Sequence, residues 1–288
     1  MKRLIAYLLL LLMVLTAGCS APKPAAKVAA TTLPVYEFTS LLCAGTDITV
    51  TRLVTESVSC LHDYSLNVEQ VRAAEGAEVI VTSGAGLEDF MAELLGGADV
   101  IDSSKGIALI CGEHHHEEGE HSHENDPHIW LAPENAKIMA ANIARELSAR
   151  YPKCSQTIAD NLTKLLAELD ALQSYGEAQL ANLSCKKLIT FHDGFGYFAR
   201  SFGLTVIKAV EEESGSEASA AELIELTRLV REHELPAVFT ETNGSTAAAK
   251  IIAAETGVKL GVLDMAMSGD SYFTAMRRNI DTIKEALG

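Results

Sequence analysis

Three of the nine histidines stand apart from the rest, each in a short segment of its own character. His62 lies in Cys60-Leu-His-Asp-Tyr-Ser-Leu66, between an extended apolar run and a helical pattern. His128 lies in Asp126-Pro-His-Ile-Trp-Leu-Ala-Pro133, between a polar stretch and a helix. His192 ends the apolar run Leu188-Ile-Thr-Phe-His and opens a glycine- and aromatic-rich turn. Asp264 follows Leu260-Gly-Val-Leu in the same way, and Glu241 closes Val238-Phe-Thr-Glu. Imidazoles joined by a carboxylate are a donor set for a divalent metal. Any one of these histidines alone reads as a satisfied structural residue. Three of them, in a chain that carries a second histidine-rich segment, point to metal.

That second segment is Glu113–Asp126, EHHHEEGEHSHEND, with His114, His115, His116, His121 and His123. It has no apolar residue, so it predicts a loop that adds nothing to a core. Imidazole is mostly neutral at external pH, and imidazoles among carboxylates make a weak, auxiliary sponge for divalent metal. His233, in Arg231-Glu-His-Glu, reads as solvated. Asp63 and Asp193 directly follow two of the candidate histidines. Neighbouring side chains point apart and Asp favours the N-cap, so both are expected to cap helices.

The beginning of the chain reads as an export signal. Lys2 and Arg3 precede the apolar run Leu4–Leu15, and Thr16-Ala-Gly leads into Cys19. That run is shorter than the roughly 20 residues of a bilayer span. Cysteine after Ala-Gly resembles a bacterial lipobox, with Thr16 where leucine is usual. The resemblance implies cleavage before Cys19 and a lipid on its thiol. The Pro-rich stretch to Lys27 predicts a tether. Lys and Arg number 23 against 39 Asp and Glu, a net charge of −16. Loss of Lys2 and Arg3 with the signal leaves 21 against 39, or −18. Such a balance excludes nucleic acid as a partner and suits a cationic ligand. Five cysteines remain beyond Cys19, namely Cys43, Cys60, Cys111, Cys154 and Cys185. An odd number leaves one unpaired within the chain, and Cys43 with Cys60 is the pairing favoured by their short separation. No C-x-x-C spacing occurs.

The elements that position the donors follow from apolar periodicity. Strands are predicted at Val28–Thr32, Ile48–Val54, Val79–Thr82 and Ile107–Ile110, and again at Leu188–Phe191, Leu204–Ile207, Ala237–Thr240 and Lys259–Leu263. Helices are predicted at Val68–Ala74, Leu87–Leu94, Ala220–His233, Ser245–Thr256 and Tyr272–Leu287. This alternation predicts an α/β fold with parallel sheets flanked by helices. Between the halves, Ile158, Leu162, Leu165, Leu169, Leu172, Leu180 and Leu183 recur at steps of three and four. They predict one long helix of about 40 Å. The expected organisation is a signal peptide (1–18), a tether (19–27), an N-terminal α/β lobe (28–153, with the loop 113–126), a linking helix (154–185) and a C-terminal α/β lobe (186–288). A rigid helical link predicts little lobe rotation.

The segments HDYSL, DPHIWLAP, FHDGFGYF and LDMAMSG together resemble the metal-specific solute-binding lipoproteins of bacterial ABC importers. The resemblance runs over essentially the whole mature chain. It implies two α/β lobes, a long linking helix and one metal in the cleft between the lobes. Carried over by position, it implies His62 and His128 from the first lobe and His192 and Asp264 from the second as ligands. Glu241, which also follows a strand, is the alternative fourth ligand or a supporting donor. Three imidazoles and one carboxylate suit tetrahedral Zn2+; manganese-carrying relatives commonly have a carboxylate where His192 stands. The implied partner is an ABC permease, with the protein a monomer held outside the cytoplasm by its lipid. A surface adhesin is the alternative within the same family. A zinc enzyme is not expected: four protein ligands leave no open position for water, and no H-E-x-x-H helix is present.

Overall fold

The computed structural model describes residues 28–57, 61, 64–111, 125–210 and 218–288. The export signal, Cys19, the tether, Cys60, His62, Asp63 and the histidine-rich segment 113–124 lie outside the described residues. Two four-stranded sheets are present, each wholly parallel. The first contains β1 (Val28–Ala30), β2 (Val50–Arg52), β3 (Val79–Thr82) and β4 (Val100–Asp102), in the order β2-β1-β3-β4. The second contains β5 (Lys187–Thr190), β6 (Thr205–Ala209), β7 (Ala237–Glu241) and β8 (Lys259–Leu263), in the order β6-β5-β7-β8. The two halves therefore repeat one topology. In each sheet the strand order reverses beside its first strand, and in open parallel sheets ligands bind outside the strand ends at such a point.

The helices are α1 (Leu33–Leu42), α2 (Val68–Glu75), α3 (Ala92–Leu95), α4 (Pro133–Arg150), α5 (Ser155–Leu180), α6 (Gly196–Ser201), α7 (Ala220–Glu232), α8 (Ala247–Thr256) and α9 (Tyr272–Leu287). Two predicted elements are corrected. Ile107–Ile110 is not a strand. The chain turns at Gly106 (φ 84°) and the fourth strand is Val100–Asp102, too short to carry an alternation of its own. Leu87–Leu94 is not one helix but a 3₁₀ turn at Asp89–Met91 followed by the single turn of α3. Gly84, Ala85 and Gly86 all have positive φ, so the chain enters this region in a left-handed run that a helix cannot continue. The helix α1 lies outside the predicted set. Pro34 sits in its first turn, where a missing N–H costs nothing.

The long helix α5 has 26 residues. Its buried stripe is Ile158, Leu165, Leu169, Leu172, Gln173, Gly176 and Leu180. It packs on α4 and α1 from the first lobe and on α9 from the second. The lobes also meet directly. One continuous apolar core runs from Val28 and Phe38 through the fully buried Trp130 to Met267, Tyr272 and Leu287. The Trp130 indole donates to the Met265 carbonyl at 2.7 Å, and the Tyr272 hydroxyl donates to the Trp130 carbonyl at 2.8 Å. Glu37 of α1 accepts from the Tyr272 amide (2.5 Å) and the Ser271 hydroxyl (3.1 Å) at the start of α9. Among the described residues no helix is long and apolar enough to cross a membrane.

Candidate metal centre

His192 stands two residues beyond β5, where the strand order of the second sheet reverses between β5 and β7. Glu241 is the last residue of β7 and is buried. The reversal thus delivers an imidazole and a carboxylate to one crevice, and His192 Nδ1 lies 3.6 Å from Glu241 Oε2. Gly244 permits this placement. A Cβ there would lie 2.5 Å from Glu241 Cγ, so any side chain would displace the carboxylate.

His128 comes from the first lobe. It precedes the 3₁₀ turn Ile129–Leu131, whose buried Ile, Trp and Leu anchor it in the core. Asp126 Oδ1 accepts the His128 backbone N–H at 2.9 Å and faces His128 Nδ1 at 2.8 Å. A carboxylate at Nδ1 places the ring proton there and leaves the Nε2 lone pair available. That nitrogen faces His192: the two Nε2 atoms are 3.3 Å apart, with the rings nearly perpendicular at 82°. Gly194 is what lets the rings approach. A Cβ on it would fall 2.8 Å from His192 Cδ2, 2.9 Å from His128 Nδ1 and 2.6 Å from Met265 Cε.

A second brace comes from α6. The Tyr197 hydroxyl accepts from the Ile110 amide and donates to the Asp126 carbonyl, each at 2.9 Å. Burial pushes this hydroxyl up to about 12, so it remains a donor at physiological pH. Gly196 lets α6 come close, since a Cβ there would lie 3.2 Å from Asp126 Oδ2. The second lobe therefore supports the segment that carries His128 as well as the histidine facing it.

Asp264 directly follows β8. Its Oδ1 accepts from the Ala266 amide at 2.8 Å, and its backbone exchanges two bonds of 2.7 Å with the Asn279 side chain on α9. Its Oδ2 lies 3.8 Å from the exposed Arg278. The carbonyl of its neighbour Met265 accepts from the Trp130 indole, and the Met265 methyl packs where Gly194 leaves room. His62 lies outside the described residues, and among those described no group of three His, Cys, Asp or Glu closes a cage on its own. The structure thus brings His128, His192 and Glu241 together, and sets Asp264 at the end of β8, on the Ala266 amide and the Asn279 side chain.

Asp193 does not cap α6, whose N-cap is Phe195. His233 caps the end of α7 with Lys187 Nζ 3.0 Å from its Nδ1, at the surface. Asp126, Gly194 and Tyr197 were not singled out from the sequence. For Asp126 a signal existed in its position two residues before His128. For the other two the function depends on a contact between lobes that no local pattern carries.

The family described as zinc-uptake complex component A periplasmic (ZnuA) matches residues 28–286. The zinc-binding lipoprotein AdcA of Streptococcus pneumoniae is 30% identical over 310 residues, covering 99% of this chain and 61% of its own length. The high-affinity zinc uptake system protein ZnuA of Bacillus subtilis is 28% identical over 279 residues, covering 90% of this chain and 87% of its own length. A solved structure described as that of ZnuA superposes with a TM-score of 0.79 at 31% identity, covering 91% of this chain and 100% of its own. The chain spans only 55–61% of the length of the streptococcal relatives. Over nearly all of its described residues, the chain belongs to the ZnuA family of periplasmic zinc-uptake components.

Proposed function

We propose that this protein captures Zn2+ in the crevice between its lobes, outside the cytoplasm, and delivers it to the permease of an ABC importer. The observation that carries the reading is the pair of imidazole nitrogens, one from each lobe, 3.3 Å apart. Two nitrogens each about 2.0–2.1 Å from a tetrahedral zinc stand about 3.3–3.4 Å from one another. His128 Nε2 and His192 Nε2 therefore already have the spacing of two zinc ligands. His62 and Asp264 complete the set. Asp264 keeps Oδ1 on the Ala266 amide and offers Oδ2. Glu241 stands at the Nδ1 side of His192, away from the metal-facing nitrogen, and Asp126 does the same for His128. These two carboxylates orient the imidazoles. The names of the relatives support zinc as the cargo. Three imidazoles and one carboxylate leave the loaded site near +1, which an acidic chain tolerates.

In this reading the protein binds and does no catalysis. It is a monomer, attached to the membrane through a lipid on Cys19, and His114, His115, His116, His121 and His123 gather zinc weakly. Zinc that bridges both lobes binds the folded state alone. It then stabilises that state by about 4 kcal/mol at a thousandfold excess over its dissociation constant.

Calorimetry and thermal unfolding of the metal-stripped chain, with zinc and then manganese, test the assignment. His62→Ala, His128→Ala, His192→Ala and Asp264→Ala are each expected to abolish the zinc-induced shift or nearly so. Glu241→Ala is expected to weaken binding by roughly 10–100-fold. If Glu241→Ala abolishes the shift while Asp264→Ala leaves it intact, Asp264 is not a ligand. Stronger stabilisation by manganese than by zinc would overturn the choice of cargo.

A further inference from the structure

The turn that follows α1 is seated on the start of α5. Asn161 of α5 donates through Nδ2 to the carbonyls of Leu42 (3.1 Å) and Ala44 (2.8 Å), the residues on either side of Cys43. A Cβ on Gly45 would stand 3.9 Å from Thr157 Cγ2. Asp47 Oδ1 lies 3.6 Å from the sulfur of Cys154, and Cys154 packs on the core cluster that contains Cys43. The turn that opens at Cys43, where the Thr46 amide donates to the Cys43 carbonyl at 3.1 Å, thus reaches Cys154 through Asp47. Cys43 is the C-cap of α1 and Cys154 the N-cap of α5. Both are free, Cys43 buried and Cys154 half-buried. Burial first, and the neighbouring Cys154 second, push the Cys43 thiol up to about 12. Alone, Cys43 is therefore inert, and Cys154 is the thiol an external reagent meets.

We propose that Cys43 and Cys154 form a disulfide that ties the end of α1 to the start of the linking helix. The oxidant is an external disulfide of the thiol–disulfide exchange class. The Cys154 thiolate attacks one donor sulfur, the donor S–S bond breaks, and the departing donor thiolate takes up a proton. Cys43 then loses its proton and attacks Cys154 Sγ. The Cys43–Cys154 bond forms, and the second donor thiolate leaves and is protonated. Two protein thiols are oxidised and one donor disulfide is reduced to two thiols, with both protons accounted for. Neither cysteine belongs to the proposed zinc site, so the bridge is independent of that reading. The link closes the loop from residue 43 to residue 154, which restricts the unfolded chain and stabilises the folded one. It replaces the pairing of Cys43 with Cys60 expected from their short separation.

The test uses the metal-stripped mature chain, treated with oxidised dithiothreitol, quenched with iodoacetamide and digested without reductant. Mass spectrometry is expected to find a peptide pair joining Cys43 to Cys154, lighter than its two parts by two hydrogens and lost on reduction. Recovery of Cys43 alkylated, or joined to Cys60, overturns the proposal. Melting curves give an independent reading. Oxidation is expected to raise the Tm of the wild type by several degrees and to leave Cys154→Ser unmoved. Equal shifts in both proteins count against the bridge.

Discussion

Asp126 and Glu88 are both acidic, and the surroundings of each give it a different task. Asp126 takes the backbone and ring N–H groups of His128 and thereby chooses which ring nitrogen is left open. Glu88 sits in the first lobe, buried at the ends of β1 and β3. It accepts from the Thr31 hydroxyl (2.6 Å) and from the Ser83 (2.7 Å) and Gly84 (3.0 Å) amides, holding the left-handed run at Gly84–Gly86 in place. Burial outweighs these donors and raises its carboxyl to about 7. The unfolded chain releases this proton at the ordinary carboxylate value, so between the two values the folded state holds a proton that the unfolded state has lost. Stability from this group is therefore complete below the unfolded value and is lost as pH rises through about 7. Urea unfolding at a series of pH values is expected to show the wild type losing up to about 3 kcal/mol more than Glu88→Gln over this window. Parallel pH profiles would exclude Glu88 as the source.

The linking helix depends on one small residue. Gly176 lies in the buried stripe of α5, and a Cβ there would fall 2.2 Å from Phe202 Cε1 and 2.6 Å from its Cζ. The ring packs directly on helix backbone. Ala is a better helix former than Gly by about 1 kcal/mol, yet overpacking a filled core costs about 1–3 kcal/mol. With the ring this close, Gly176→Ala is therefore expected to destabilise by up to about 2 kcal/mol in chemical denaturation. Pairing it with Phe202→Leu should recover part of the loss, because the shorter side chain clears the added methyl. A stabilised Gly176→Ala single variant would mean that the ring yields freely. The last helix is fixed at both ends by other elements. Its N-terminus is held by Glu37 of the first lobe, and its final carbonyl, at Leu287, accepts from Ser184 just past α5.

At the scale of the whole molecule, the lobes share a core and several buried hydrogen bonds, and α5 packs on helices of both. A hinge rotation would break these together. Zinc entry and release are expected to proceed by local shifts around His62, His128 and Asp264. Small-angle scattering with and without zinc should give the same radius of gyration within error. A clear contraction on binding would show that the lobes close as bodies. Cys111 and Asn125, which flank the histidine-rich segment in sequence, form an isolated antiparallel bridge. Deleting residues 113–124 is expected to keep the melting temperature and one tight zinc site while removing weak sites in calorimetry. Loss of the tight site would place a loop histidine among the ligands.

Much of this organisation was legible in the sequence because it is local. The steps of three and four along residues 158–183 need no partner to be read as a helix, and a run of charge and imidazole cannot form a core. His128, His192 and Asp264 could be picked out because each adjoins an apolar run or a turn at a strand end. The three-residue strands were harder. Val100–Asp102 is a strand only because β3 lies beside it, while Ile107–Ile110 has the composition of a strand but spends its Ile110 backbone groups on the Asp126 amide and the Tyr197 hydroxyl. The left-handed entry at Gly84–Gly86, which breaks up a predicted helix, is held by a side chain folding back from Glu88. What only the tertiary structure decided is the meeting of the two lobes. The 3.3 Å between the imidazoles, the side of His192 on which Glu241 stands, and the empty space that Gly194 provides all arise where residues some fifty to seventy positions apart converge. Such convergence is set by the packing of two sheets and their helices on a common core, and no run of neighbouring residues records it.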